Sequence, residues 1–280
     1  MEKVKKILFG FLILIVAYTL FLKLFPLKKN IFYTNDERTE EFIYWKKQYP
    51  IVIAGSSLSG IFTIVHLFRQ HYFNMYMPYA GSCTGVEIIK RTQNIPKTLF
   101  VETNRIDRGI DTTLIENVFS EPFYSLKYYL PFLLKKNRFL PNLVDRVKAP
   151  QINSISLHRP PLVLYNQLLA DAQKEWGDLS DAVKAKIDRN FLILKESLTS
   201  FSKKGCEIYL FEVPMDSSLY KSPLLTYERN CFIKLSKDEG YKFIKADTTR
   251  SYKTGDGEHL LKSDGVVYIK YFLSGLDKKF

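Results

Sequence analysis

Apolar and polar positions along this chain follow three patterns in turn. The first is an unbroken apolar run: residues 7 to 22, ILFGFLILIVAYTLFL, carry no charge, and the run reaches Phe25 before Pro26 ends it. At about 1.5 Å per residue, a helix of that length crosses a hydrocarbon core of about 30 Å. Lys3, Lys5 and Lys6 precede the run, and Lys23, Lys28 and Lys29 follow or flank it. A cleaved signal peptide is the rival reading. No small-x-small cleavage site and no lipobox cysteine follows the run, which favours an uncleaved signal anchor over residues 1–27. Lysines at both ends leave the positive-inside count nearly balanced, and the usual fate of such an anchor is a cytoplasmic N-terminus with an exported body.

The second pattern is the polar stretch 28–49, KKNIFYTNDERTEEFIYWKKQY with its flanks, which reads as a linker ending in a short lead-in helix. The third is an alternation of short β-branched runs with helical spacings. IVIAG (51–55), FNMYM (73–77), KTLFVET (97–103), CEIYLFEVP (206–214) and YKFIKAD (241–247) read as strands. Between them, SLSGIFTIVHLFRQ and GVEIIKRTQ have helical apolar spacing. A long helix is expected from Asp181 to Lys203, with Ser180 as its N-cap, and KSDGVVYIKYFLSGL closes the chain as another helix. Strand and helix in alternation predict an α/β domain over 50–280, with a mostly parallel five-stranded sheet and crossover helices. The alternation pauses from about 108 to 160, where prolines at 122, 131, 141 and 150 cut an aromatic, lysine-rich stretch into short pieces. That stretch reads as a helical insert. Its aromatic residues admit three uses: core packing, contact with a membrane surface, or a sugar-stacking groove.

Composition adds limits. The 280 residues are 46% hydrophobic, ample for a folded core, and carry a formal charge of +12. Of this excess, +5 falls in the first 30 residues and the remaining +7 is spread out. No nucleic-acid recognition motif accompanies it, so nucleic acid is not an expected partner. Three cysteines, Cys83, Cys206 and Cys231, are odd in number and lack CxxC spacing, so they indicate buried thiols, with neither a disulfide framework nor a zinc site. His66 and His71 lie five apart, on different faces of a helix, and do not form a metal pair. His158 beside the insert reads as a surface histidine.

In an open parallel sheet, chemistry sits beyond the carboxyl ends of the strands. Those positions hold Ser56 and Ser57 after the first strand, PYAGSCTG after the second, TNRID after the third and GDGEHL after the fifth. A serine hydroxyl needs a histidine to take its proton, and the histidine needs a carboxylate to hold its tautomer. DGEHL offers both, in Asp256 and His259. An oxyanion needs preorganised donors, for which the turn glycine Gly81 and the Asn104 amide are suited. Each has a simpler reading: the serines as helix caps, Asp256 as a turn residue, His259 as the cap of the last helix, Gly81 as a turn former.

As a set, GSSL with Ser57, AGSCTG with Gly81, ETNR with Asn104 and DGEHL with Asp256 and His259 resemble the SGNH (GDSL-like) hydrolase superfamily, in the family's order from about 50 to 276. The resemblance implies a three-layer α/β/α sandwich, a Ser57–His259–Asp256 triad, and an oxyanion hole from the Ser57 and Gly81 N–H groups and the Asn104 amide. It implies no cofactor and no metal. The usual aspartate before the nucleophile is Ser56 here, as in membrane-anchored relatives that move acyl groups on cell-envelope polymers. The expected function is thus a membrane-anchored serine esterase or O-acyltransferase acting on an extracytoplasmic carbohydrate or envelope polymer. An acyltransferase would need a multispanning membrane partner to deliver the acyl group. The alternative is a non-catalytic envelope protein that keeps the fold and binds polysaccharide or a membrane partner.

Overall fold

The protein is described from a computed structural model, which covers residues 2–24, 34–44, 48–64, 67–68, 71–137 and 158–276. In chain order its main elements are α1 (Glu2–Leu24), α2 (Asn35–Tyr44), β1 (Ile51–Gly55), β2 (Tyr72–Tyr76), α3 (Ser82–Thr92), β3 (Thr98–Glu102), α4 (Thr112–Phe119), α5 (Phe123–Tyr129), α6 (Leu162–Gly177), α7 (Asp181–Lys203), β4 (Glu207–Phe211), α8 (Pro223–Glu239), β5 (Lys242–Ile244) and α9 (Lys262–Ser274). The first part of the expected linker, His66 and residues 138–157 of the insert lie outside the described residues.

The five strands form one sheet of order β2-β1-β3-β4-β5, every pairing parallel. Ile51 through Ala54 and Leu99 through Val101 are buried on both faces, because helices cover the sheet on both sides and near-continuous apolar strands are the consequence. On one face α3 comes so close that a Cβ on Gly85 would lie 3.2 Å from the Ala54 Cβ and 3.4 Å from the Met75 sulfur. On the other, Phe62, Phe68, Phe100, Phe211 and Phe272 form a packed aromatic layer with ring centroids 4.9–5.5 Å apart. α9 supplies Phe272, and its buried Tyr268 donates to the Glu212 carbonyl at 3.0 Å.

Two elements differ from the sequence pattern. The first crossover is a seven-residue 3-10 helix, Ser57–Thr63, where the spacing predicts a longer α-helix. Its start is held by side chains: Ser56 Oγ accepts from Leu58 N–H at 3.2 Å, and Ser59 N–H donates to Glu102 at 3.1 Å. Those bonds favour a tight turn, and the β-branched residues that follow add little helix propensity. The second difference is β5, three residues long where seven are expected. α6 and α8 carry no strong periodic signal and emerge only in three dimensions.

The chain clusters into two compact units: Met1–Lys46 with Thr112–Gln151, and Lys47–Asp111 with Ile152–Phe280, the latter holding the sheet. The insert therefore groups with the N-terminal segment. Within that unit α2, expected to end a linker, is buried over Glu37–Ile43. It is tied to the insert by Lys136–Glu41 at 2.5 Å, Lys127–Glu40 at 2.7 Å and Lys135–Asp36 at 3.0 Å. The insert's aromatic residues divide in use. Tyr124 and Tyr128 pack on Tyr44, while Phe123 and Tyr129 of α5, like much of Tyr128, are exposed. α1 leaves most of its apolar side chains uncovered, from Val4 to Leu24, and is long and apolar enough to cross a membrane or to act as a signal sequence.

Candidate active site

The site is built at the carboxyl ends of β1 and β3, adjacent in the sheet although not consecutive in the chain, the kind of switch point at which parallel sheets place their chemistry. β1 ends at Gly55, which must be glycine: a Cβ there would lie 2.0 Å from Ser59 Oγ and 2.6 Å from Glu102 Oε2. Ser56 follows, fully buried, and then Ser57, partly open to solvent.

Ser57 Oγ lies 2.8 Å from His259 Nε2, and His259 Nδ1 lies 2.7 Å from Asp256 Oδ2. A carboxylate only accepts, so Nδ1 carries the hydrogen and Nε2 is left to accept from the Ser57 hydroxyl. The three residues are brought together across 202 positions of sequence. Burial alone would lower the His259 pKa, but the bond to Asp256 and its charge outweigh that and raise it above 6.5. Burial alone would raise the Asp256 pKa, while the His259 ring and the backbone N–H groups of His259 and Glu258 pull it below the ordinary value.

The loop that carries His259 is fixed from several sides. Asp256 Oδ1 accepts from the N–H groups of Glu258 at 2.9 Å and His259 at 2.7 Å, so one carboxylate sets both the turn and the ring. Gly257 has φ +97, a conformation that favours glycine, and donates to Thr254 Oγ1 at 3.2 Å. The Glu258 carboxylate bonds Trp176 Nε1 and pairs with Arg105 Nη1 at 3.1 Å. Arg105 in turn binds Asp107 at 3.1 Å and pairs with Glu175, and its guanidinium lies 4.7 Å from the Trp176 ring.

The expected oxyanion donors are differently placed. The Ser57 N–H has no partner among the described residues. Asn104 is fully buried and joins the ends of β3 and β4: its Nδ2 donates to the Val213 carbonyl at 2.9 Å and its Oδ1 accepts from Val213 N–H at 2.8 Å. One Nδ2 hydrogen remains without a partner among the described residues. The Gly81 N–H, expected as a free donor, is already bonded to the Met77 carbonyl at 3.1 Å, because residues 77–81 close a tight turn. What Gly81 contributes instead is close approach: φ is +120, and a Cβ would lie 3.0 Å from the Arg105 carbonyl.

Sequence reasoning missed Glu102. Its carboxylate, buried at the end of β3, accepts from Ser56 N–H at 2.9 Å, Ser56 Oγ at 2.5 Å, Ser59 N–H at 3.1 Å and Ser59 Oγ. Burial raises its pKa, and the serine bonds only partly offset this. The signal was present, since a glutamate inside the apolar run TLFVE is costly unless it is fully hydrogen-bonded. Cys83 and Cys206 are buried, with thiols pushed up to about 12, and Cys231 is partly buried. His71 stacks on Tyr49 and His158 is exposed. Among the described residues, no group of three His, Cys, Asp or Glu side chains is placed to hold a metal ion.

A carboxylate–imidazole–hydroxyl chain can generate a serine nucleophile, and the N–H of that serine can help stabilise an oxyanion. No protein-family model, no curated protein and no solved structure matches the chain.

Proposed function

We propose that the protein is a membrane-anchored serine acyl-transfer enzyme of SGNH type, acting outside the cytoplasmic membrane on acyl esters of a carbohydrate or cell-envelope polymer. The observation that carries this reading is the hydrogen-bonded chain Asp256–His259–Ser57, at 2.7 and 2.8 Å. Ser57 Oγ attacks the acyl carbonyl while His259 Nε2 takes its proton, and Asp256 stabilises the resulting imidazolium. The oxyanion is met by the Ser57 N–H and the remaining Asn104 amide hydrogen. Collapse expels the alcohol, which receives the proton from His259, and leaves an ester on Ser57. Water then gives an esterase. A sugar hydroxyl gives an O-acyltransferase, the outcome favoured by α1 and the insert, with a multispanning partner to deliver acyl groups across the membrane. Where the SGNH resemblance expects an aspartate before the nucleophile, Ser56 stands, and Glu102 supplies a carboxylate to the same turn. A non-catalytic binding protein has no use for such a proton relay.

The test is turnover of a chromogenic acetyl ester by the full chain in detergent. The wild type is expected to hydrolyse it with an acidic limb above pH 6.5, because the base must be neutral and Asp256 raises its pKa. Ser57→Ala should abolish turnover. Asp256→Asn should lower kcat by roughly 10³–10⁴-fold and move the limb to lower pH. Turnover untouched by Ser57→Ala would refute the reading. Adding candidate glycans and seeking acylated product by mass spectrometry separates transfer from hydrolysis.

A further inference from the structure

Two arginines leave β3 on the same loop, three residues apart, with opposite surroundings. Arg105 is saturated by Asp107, Glu175 and Glu258. The Arg108 backbone N–H donates to the Arg105 carbonyl at 3.4 Å, but its side chain has no hydrogen bond or ion pair among the described residues, and its Nη1 is buried without a partner. Leaving a guanidinium nitrogen buried and unpaired is expensive, so its persistence needs a reason.

The backbone beneath Arg108 is not loose. Asp107 N–H donates to Glu228 at 2.8 Å, and the Asn190 amide donates to the Ile106 carbonyl at 2.9 Å. Gly109 then turns with φ +70, against Asn190. The backbone that carries Arg108 is thus fixed on a rigid turn. It faces the turn that begins α3, since a Cβ on Gly81 would lie 3.8 Å from the Arg108 Cβ. Ser82, the first residue of that eleven-residue helix, is buried, and its Oγ is likewise without a partner. Arg108 also lies close enough to act electrostatically on both His259 and Glu102. Burial and the charge of Arg105 lower the Arg108 pKa, and the carboxylates of Glu258, Asp107 and Glu175 only partly offset them.

We infer that Arg108, with the Ser82 hydroxyl and the N-terminus of α3, binds an anionic group of the substrate, a carboxylate or phosphate carried close to the scissile ester. A helix N-terminus favours negative charge, and guanidinium matches the two oxygens of either group. The placement beside His259 rests on the acyl-transfer reading; the anion site itself does not. An anionic envelope polymer meets the requirement, whereas a neutral glycan ester does not.

Inorganic phosphate is the probe, added to the full chain in detergent at constant ionic strength. Phosphate is expected to raise the unfolding temperature of the wild type and to inhibit acetyl-ester turnover competitively. Arg108→Gln should weaken both effects at least tenfold, and Ser82→Ala by a smaller factor. Each variant is compared with itself with and without phosphate, so a change in its own stability does not enter. Equal responses in wild type and Arg108→Gln would overturn the inference. So would stabilisation without competition, which places the anion away from the substrate. A fall in kcat in Arg108→Gln with phosphate inhibition unmoved would assign the guanidinium to the reaction's own oxyanion and also overturn it. If no ester is turned over but phosphate stabilisation is lost in Arg108→Gln, acyl transfer fails and the anion site stands.

Discussion

Glu102 shows how a buried charge can serve a neighbour it does not touch. Its two oxygens take four donors from Ser56 and Ser59, the residues on either side of the Ser57–Leu58 pair, so the turn presenting Ser57 is clamped from beneath. Glutamine offers one accepting oxygen and turns an NH₂ toward serine donors. Glu102→Gln should therefore cost about 2 kcal/mol of stability and lower kcat with little change in KM for a small ester, since the positioning of Ser57 and not its binding pocket is disturbed. The sign of the pH effect follows from the raised pKa. A carboxyl whose folded pKa exceeds its unfolded value of about 4.5 contributes stability below that value and loses it as pH rises through the folded pKa. Urea unfolding across that interval should show this decline in the wild type and not in Glu102→Gln.

At the scale of elements, the sheet and its longest helix were legible because periodicity reports burial. β1 coincides with the run 51–55, and α7 with the spacing from Asp181 to Lys203. Ser180 stands at the N-cap position as expected, though its side chain makes no capping bond. The turn after β1 was not legible as a 3-10 helix, because a carboxylate 43 to 46 residues away shapes it. The triad could be nominated from residue types behind strands. The engagement of Gly81 with Met77 and of Asn104 with Val213 could not, since backbone partners leave no mark in side-chain identity. The close approach of α3 to β1 gives a direct test. Gly85→Val should force the helix off Ala54 and Met75, costing about 1–3 kcal/mol, and a thermal melt should fall by roughly 2–4 °C per kcal/mol.

At the scale of the whole molecule, α1 is long and apolar enough to cross a membrane or to act as a signal sequence, and under the proposed function it sets the side of the membrane on which the site works. Residues Glu2–Leu22 form 21 residues of membrane-competent helix, about 31 Å long. A single anchor with an exported body predicts that a reporter enzyme active only outside the cytoplasm, fused after Phe280, is active, while one active only in the cytoplasm is silent; the reverse pattern would place the site inside. The grouping of the insert with the N-terminal segment explains why its lysines were ambiguous in sequence: Lys127, Lys135 and Lys136 have carboxylate partners on α2. That use could not be read from a run of basic and aromatic residues.

The central claim, that Ser57 is an activated nucleophile, is tested most directly by treating the full chain in detergent with a fluorophosphonate and mapping the adduct by peptide mass spectrometry. A His259–Ser57 bond of 2.8 Å predicts a single adduct on Ser57, lost in His259→Ala and slowed in Asp256→Asn. An unlabelled Ser57 in folded wild-type protein, or an adduct equally strong in His259→Ala, would contradict it.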